Sequence, residues 1–123
     1  MNKSFDNQID TYKECAKIHF EIDYSNKKSV KRANKAVVEM IRIAQRINID
    51  FPQKMDEFSE LLNEKKYRLD IWVAHHLLER MNYTKDMEEK AIAVIEEYAK
   101  EDSADGLGNR MWLSEWRKKN EKV

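Results

Sequence analysis

The sequence predicts an all-α fold of about six helices, and two observations support that prediction. First, the 123 residues include only two glycines and one proline, whereas β-sandwiches and β-barrels need many turns built from such residues. Second, apolar side chains recur at steps of three and four residues, which places them on one side of a helix. A hydrophobic content of 41% is enough for one core, so we expect a single helical domain over residues 1–123.

The first three helices are predicted near residues 4–23, 27–48 and 53–65. Ser4 can cap the first helix, because its hydroxyl can accept a hydrogen bond from a backbone N–H of the first turn. Pro52 suits the start of the third helix, since its fixed φ angle matches that of a helix. The second helix has the clearest apolar stripe of the chain: Val30, Ala33, Val37, Met40, Ile41, Ala44 and Ile47.

The last three helices are predicted near residues 67–81, 85–101 and 109–119, with a loop over residues 102–108 before the final one. Thr84 is placed to cap the fifth helix. The fourth helix differs from the others because it is apolar on two sides, and it must therefore be covered on both. One side carries Leu69, Trp72, Val73, His76 and Leu77, and the opposite side carries Ile71, Ala74, Leu78 and Met81.

The connections between these helices are short, which predicts antiparallel neighbours arranged as three pairs in successive layers. The two-sided fourth helix fits the middle of such a three-layer stack. A compact up-and-down bundle is the alternative arrangement, although each of its helices would need only one broad apolar side.

Two motifs in the C-terminal half support the stacked architecture. The fourth helix contains Trp72, Ala74, His76 and Leu78, and the closing segment contains Leu113, Glu115, Trp116 and Arg117. Both motifs resemble the bacterial DUF2019 family, and Arg32-Ala33-Asn34 in helix two resembles it more loosely. The resemblance implies a HEAT-like right-handed helical superhelix and no particular activity, because the function of that family is unknown. The chain departs from the family in its high lysine content and in Trp112.

Charge and cysteine content limit the classes of function. The 23 basic and 23 acidic residues cancel, so no global field directs the chain to nucleic acid or to an acidic membrane. Cys15 is the only cysteine, which excludes an internal disulfide and favours a reducing compartment. Neither a signal-peptide core near the N-terminus nor a bilayer-spanning stretch is recognisable. We therefore expect a cytoplasmic protein with no membrane partner.

The second helix carries a row of basic side chains on the side away from its apolar stripe. Residues 27–46 contain seven basic residues and one acidic residue, Glu39. The candidate binding residues of this row are Lys28, Lys31, Lys35, Arg42 and Arg46. Such a row can dock an acidic protein surface or follow phosphates, because opposite charges steer encounter. The alternative interpretation is a solvated outer face, and the lack of aromatic residues in the row weakens single-stranded nucleic-acid binding.

The fifth helix and the segment after it are acidic. Residues 84–105 contain eight acidic and three basic residues, among which Glu96 and Glu97 are candidate binding residues. This segment could hold a basic partner or imitate phosphate. Alternatively, it is a solvated face, or it complements the basic helix within the fold or between copies.

Three tryptophans and two histidines carry the remaining site hypotheses. Trp72 and Trp116 are expected to fill the core. Trp112 flanks the apolar stripe; a core position is the first interpretation, and the alternative is that it is the single most specific contact residue. His75 and Glu79 are one helical turn apart but lack a third ligand, so we expect no bound metal and no cofactor. Residues such as His76 and Cys15 are expected to be buried, the former as a hydrogen-bonded core histidine.

No glycine-rich phosphate loop, nucleophile motif or paired catalytic carboxylates are recognisable, so catalysis is not expected. The sequence favours a bacterial adaptor or an immunity-type inhibitor that offers a helical face to another protein, such as a toxin. The immunity hypothesis rests on analogy with small, charge-polarised bacterial proteins. The alternative is a nucleic-acid-binding protein that uses the basic side of helix two.

Overall fold

A computed structural model of the chain describes residues 4–120, and within that range it contains six α-helices and no β-strand. The helices are α1 (Phe5–Phe20), α2 (Lys27–Asp50), α3 (Met55–Ser59), α4 (Leu69–Arg80), α5 (Lys85–Ala99) and α6 (Ala104–Asn120). The prediction of an all-α fold is thereby confirmed. No helix in the described range is long and apolar enough to cross a membrane.

Polar side chains fix where three of the helices begin. The hydroxyl of Ser4 accepts a hydrogen bond from the backbone N–H of Asn7, and that of Thr84 accepts one from Met87, as predicted. The side chain of Asn26 caps α2 in the same way. Each cap satisfies backbone donors that the first turn of a helix leaves without a partner.

Two predicted boundaries are wrong. The last helix begins at Ala104 instead of residue 109, so much of the predicted loop over residues 102–108 is helical. The hydroxyl of Ser103 accepts a hydrogen bond from the N–H of Gly106, and a Cβ at Gly106 would overlap the backbone of Glu101. The absence of a Cβ at Gly106 therefore allows α6 to start close to the end of α5.

The third predicted helix is also shorter than expected. The α-helical part covers only Met55–Ser59 and is flanked by 3₁₀ turns at Pro52–Lys54 and Glu60–Asn63. A third 3₁₀ turn, Lys66–Arg68, leads into α4. Apolar spacing over residues 53–65 cannot distinguish these tighter turns from a continuous α-helix, because the two differ by less than one residue per turn.

Helix α4 lies at the centre of the core and is covered on both sides, as its sequence predicts. It packs against α5 and α2, and more lightly against α1 and α3. Val73, Ala74 and Leu77 are completely buried, while Ile71 and Trp72 are half-buried at the edge. Further packing joins α1 to α2 and α5 to α6.

Buried polar groups connect distant helices within this core. The hydroxyl of Tyr12 in α1 lies 2.7 Å from Nδ1 of His76 in α4, which confirms the prediction of a hydrogen-bonded core histidine. Burial lowers the pKa of His76 to about 4. In the other half, the hydroxyl of Tyr98 donates to Oδ1 of the fully buried Asp70, at 2.5 Å. Cys15 is buried as predicted, and burial raises its pKa to about 11.

Candidate binding surfaces

The first candidate surface is the basic face of α2, formed by Lys28, Lys31, Lys35, Arg42 and Arg46. All five side chains are exposed. Arg42 donates to Oε1 of Glu39 at 2.7 Å. Within residues 4–120, no carboxylate oxygen lies within 4.0 Å of a side-chain nitrogen of the other four. The structure therefore places the predicted basic residues together and leaves most of their charge uncompensated.

Helical geometry explains why the basic face is continuous and outward. The buried side of α2 consists of Ala33, Ala36, Met40, Ile43, Ala44 and Ile47. Lys28 and Arg46 are exposed on one flank of that side, and the 18 residue steps between them span about 27 Å along the helix axis, at 1.5 Å per residue. Two apolar residues lie on the same outer side, Val38 (58% exposed) and Ile49 (74% exposed). The basic face thus combines cations with exposed apolar contacts.

The second candidate surface, the acidic α5 segment, is largely neutralised. The carboxylate of Glu96 pairs with Arg117 of α6 at 2.6 Å, and that of Glu97 pairs with Lys100 at 3.0 Å. Of the eight acidic residues between 84 and 105, six have a basic partner within the described range: Asp86, Glu88, Glu96, Glu97, Glu101 and Asp105. The two predicted residues are exposed, but neither carries an unpaired charge.

Trp112, on α6, is half-buried against α4, and contacts within the protein cover part of its side chain. Its indole N–H donates to Oε2 of Glu79 at 2.7 Å. Its ring stacks on that of Trp116, with the ring centroids 5.3 Å apart, and meets the ring of His75 edge-on at 4.7 Å. Trp72 and Trp116, predicted to fill the core, are also half-buried at its edge. The contacts of Trp112 with Glu79 and His75 therefore join α6 to α4.

The polar network around His75 has the same connecting role. Nε2 of His75 lies 2.8 Å from Oδ1 of Asn109 in α6, and Nδ1 lies 3.3 Å from Oε2 of Glu79. The hydrogen bond from His75 lowers the pKa of Glu79, assisted by the one from Trp112. No group of three or more histidine, cysteine or acidic side chains in residues 4–120 is arranged to hold a metal ion.

A third surface, which the sequence analysis did not predict, is a cleft of about 420 Å³ between the end of α1, the start of α4 and the start of α6. We call it the aromatic cleft. Rings from separate segments line it: His19, Phe20, Tyr24, Tyr67 and Trp72. The rings of His19 and Trp72 meet edge-on at 5.0 Å, and those of Phe20 and Tyr67 are 5.6 Å apart. Arg68 and Asp105 contribute the charged part of the lining.

The backbone beside this cleft has an unusual conformation. Tyr67 and Arg68 both have a φ angle of 56°, in the left-handed region that residues other than glycine rarely occupy. Such a conformation costs roughly 1–3 kcal/mol for each residue. Contacts of Arg68 offset part of that cost: its guanidinium lies over the ring of Tyr98 at 4.5 Å and forms two hydrogen bonds with the carboxylate of Glu101.

The cleft cannot be predicted from the sequence, because its residues are far apart in the chain. Trp72 is expected in the core and Tyr67 at the start of the fourth helix, while Tyr24 lies between two predicted helices. The one local signal is Tyr24, a large aromatic residue in the turn between α1 and α2. Its side chain is 78% exposed. Bringing residues 19–24 against residues 67–72 requires the tertiary packing of α1 on the turn before α4.

Comparison of the chain with known protein families, with characterised proteins and with solved structures gave no match.

Proposed function

We propose that the protein is a non-catalytic binding module, an adaptor or immunity-type inhibitor, that docks the basic face of α2 against an acidic surface of another protein. The observation that carries this proposal is a row of exposed cations that have no carboxylate partner among residues 4–120: Lys28, Lys31, Lys35 and Arg46. A HEAT-like stack, which presents extended helical surfaces, is part of the proposal, and so is a location in the cytoplasm.

The uncompensated charge has a cost that favours a functional explanation. Like charges spaced by four residues on a helix, such as Lys31 and Lys35, destabilise it by about 0.2–0.5 kcal/mol per pair. An acidic partner surface would remove this repulsion and would accelerate encounter by electrostatic steering. Val38 and Ile49 add apolar area on the same side, which suits a protein partner better than a phosphate backbone.

The test compares the wild-type chain with the variant Lys31→Glu/Lys35→Glu/Arg46→Glu. Proteins captured from a bacterial extract by the wild type are identified, purified and titrated against both chains. We expect the triple reversal to weaken one specific complex by at least about tenfold, equivalent to about 1.4 kcal/mol, and most strongly at low salt.

The matched control is Glu96→Lys/Glu97→Lys, which reverses charges that are already paired. It should leave the affinity for the same partner nearly unchanged. Equal affinity of the wild type and the α2 triple variant would refute the proposal.

Nucleic-acid binding by the basic face is the second candidate, favoured by four cations that span about 27 Å of α2 and have no carboxylate partner in the described part of the chain. Titration with duplex DNA and duplex RNA at low and moderate salt tests it. Contacts with several phosphates require a steep loss of affinity as salt rises. An absence of binding at low salt would eliminate this candidate without affecting the first.

A further inference from the structure

The aromatic cleft has the dimensions of a ligand site. Its volume of about 420 Å³ falls within the range of roughly 300–1,000 Å³ that small-molecule pockets occupy. Phe20 and Tyr24 at its rim are 54% and 78% exposed, although rings of this size usually bury most of their area. Strained backbone at Tyr67 and Arg68 forms one wall, and strain of this kind is concentrated at functional sites.

The lining is suited to positive charge. The faces of Trp72, Tyr67, Phe20 and Tyr24 are electron-rich, and such faces attract ammonium and guanidinium groups. The same protein shows this interaction nearby: Nζ of Lys66 lies over the ring of Tyr67 at 5.3 Å, although Lys66 does not line the cleft.

The charged side chains around the cleft leave room for a further cation. Among the described residues, the lining contains one cation and one anion, Arg68 and Asp105, whose side chains are 3.6 Å apart. Arg68 also pairs at 3.1 Å with Glu101, which does not line the cleft, so its guanidinium is neutralised from two sides. The side chain of Asp105 is 74% exposed, so its carboxylate can accept a further donor. Burial lowers the pKa of His19, which keeps that ring neutral at neutral pH.

We infer that the aromatic cleft binds an organic cation, an alkylated ammonium or guanidinium group held by the aromatic rings and by Asp105. The cation comes either from a small molecule or from a basic side chain of a peptide. This site is separate from the basic face of α2, and the inference does not depend on the function proposed for that face.

The test titrates the full chain with four probes by calorimetry and by the fluorescence of its tryptophans. Choline and tetramethylammonium represent small cations, and a short peptide containing trimethyl-lysine represents a basic side chain. The fourth probe, 3,3-dimethylbutanol, has the shape of choline without its charge. We expect saturable binding of the cations, with the neutral probe at least about tenfold weaker. Tighter binding of the peptide than of choline identifies a side chain as the source, and the reverse order identifies a small molecule.

Variants at exposed positions separate this site from a general effect on folding. Tyr24→Ala and Asp105→Asn should each weaken the cations by about two- to fivefold, with melting temperatures close to that of the wild type. Met111→Ala removes a similarly exposed apolar side chain from α6, outside the lining of the cleft, and should leave binding unchanged. Three results would each overturn the inference: no saturable binding of any cation, equal binding of the neutral probe, or an equal loss in Met111→Ala.

Discussion

The outer side of α2 and the acidic α5 segment both appear in the sequence as dense runs of one charge, yet they end in opposite electrostatic states. Four of the five residues of the basic face have no carboxylate partner between residues 4 and 120. In the acidic segment, Glu96 and Glu101 reach cations in other elements, Arg117 and Arg68, and further pairs form within the helix. The basic face is therefore accessible to a partner, while most charges of the acidic α5 segment are already paired within the fold.

The difference follows from where the two helices lie. Helix α5 packs between α4 and α6, so cations from its neighbours come within reach of its flanks. Helix α2 packs on α1 and α4 with its apolar side only, and its opposite side faces solvent. A charge run thus indicates a binding surface only when the fold supplies no counter-charge. The effects of four substitutions depend on this difference in packing.

The largest expected effect concerns the contact that joins the two halves of the fold, Tyr12 with His76. The pKa of His76 is about 4 in the folded chain and about 6.5 in the unfolded chain, so the unfolded state binds more protons between these values. Stability is therefore full above pH 6.5 and should fall by roughly 3 kcal/mol as the pH drops to 4. Burial has the largest effect on the pKa of His76. The charge of Glu79 raises this pKa, whereas His75 and Arg80 lower it, and all three effects are smaller than that of burial.

The measurement is urea unfolding between pH 7 and pH 4 for the wild type and for His76→Gln. The side-chain amide of glutamine can donate or accept a hydrogen bond with Tyr12 but does not titrate. The variant should have a clearly smaller dependence on pH. The same pH dependence in both proteins would show that His76 is not responsible.

The next largest effect concerns the close approach of α6 to the end of α5, on which the neutralisation of the acidic α5 segment depends. In Gly106→Ala the new Cβ would overlap the backbone of Glu101, so we expect a loss of about 1–3 kcal/mol in the free energy of unfolding. Gly108→Ala is the matched control: its Cβ meets no atom within 4 Å, and the better helix propensity of alanine should stabilise by up to about 1 kcal/mol. Equal effects of the two substitutions in chemical denaturation would contradict the close approach at Gly106.

A smaller effect is expected from the ion pair between α5 and α6. Glu96→Lys removes the partner of Arg117 and places a like charge beside it, which should cost about 0.2–1 kcal/mol because the pair is about half exposed. Glu89→Lys reverses a nearby charge without an ion-pair partner in the described part of the chain and should change stability less. Thermal unfolding at low salt measures both. If Glu89→Lys were the more destabilising, the neutralised state of α5 would be in doubt.

The smallest effect is a gain in the free energy of unfolding instead of a loss. Lys31→Glu places a carboxylate four residues from both Lys27 and Lys35, so we expect a gain of about 0.2–0.5 kcal/mol per pair formed. The gain should largely disappear in 1 M salt, which screens exposed charges. Loss of stability in this variant at low salt would mean that the basic face is already compensated in the folded chain.

The sequence is sufficient to place most of the candidate site residues on their helices. It does not show which of them already have partners within the fold. The exposed side chains of Lys31 and Glu97 both follow from helical periodicity. Trp112 was predicted as a contact residue, yet its N–H bonds to Glu79, 33 residues away. A contact of that kind depends on how α6 packs on α4, which periodicity within either helix does not specify.

Local features of the protein follow directly from its sequence: the helical class, the caps at Ser4 and Thr84, the two-sided burial of α4 and the hydrogen bond of His76. They depend on spacings within one turn or one stripe, and on the cost of burying an unpaired polar group. The start of α6, the pairing of most acidic residues of α5 and the aromatic cleft arise from the packing of the helices. Each of them depends on groups brought together from distant parts of the chain, and the packing of helix against helix sets those distances.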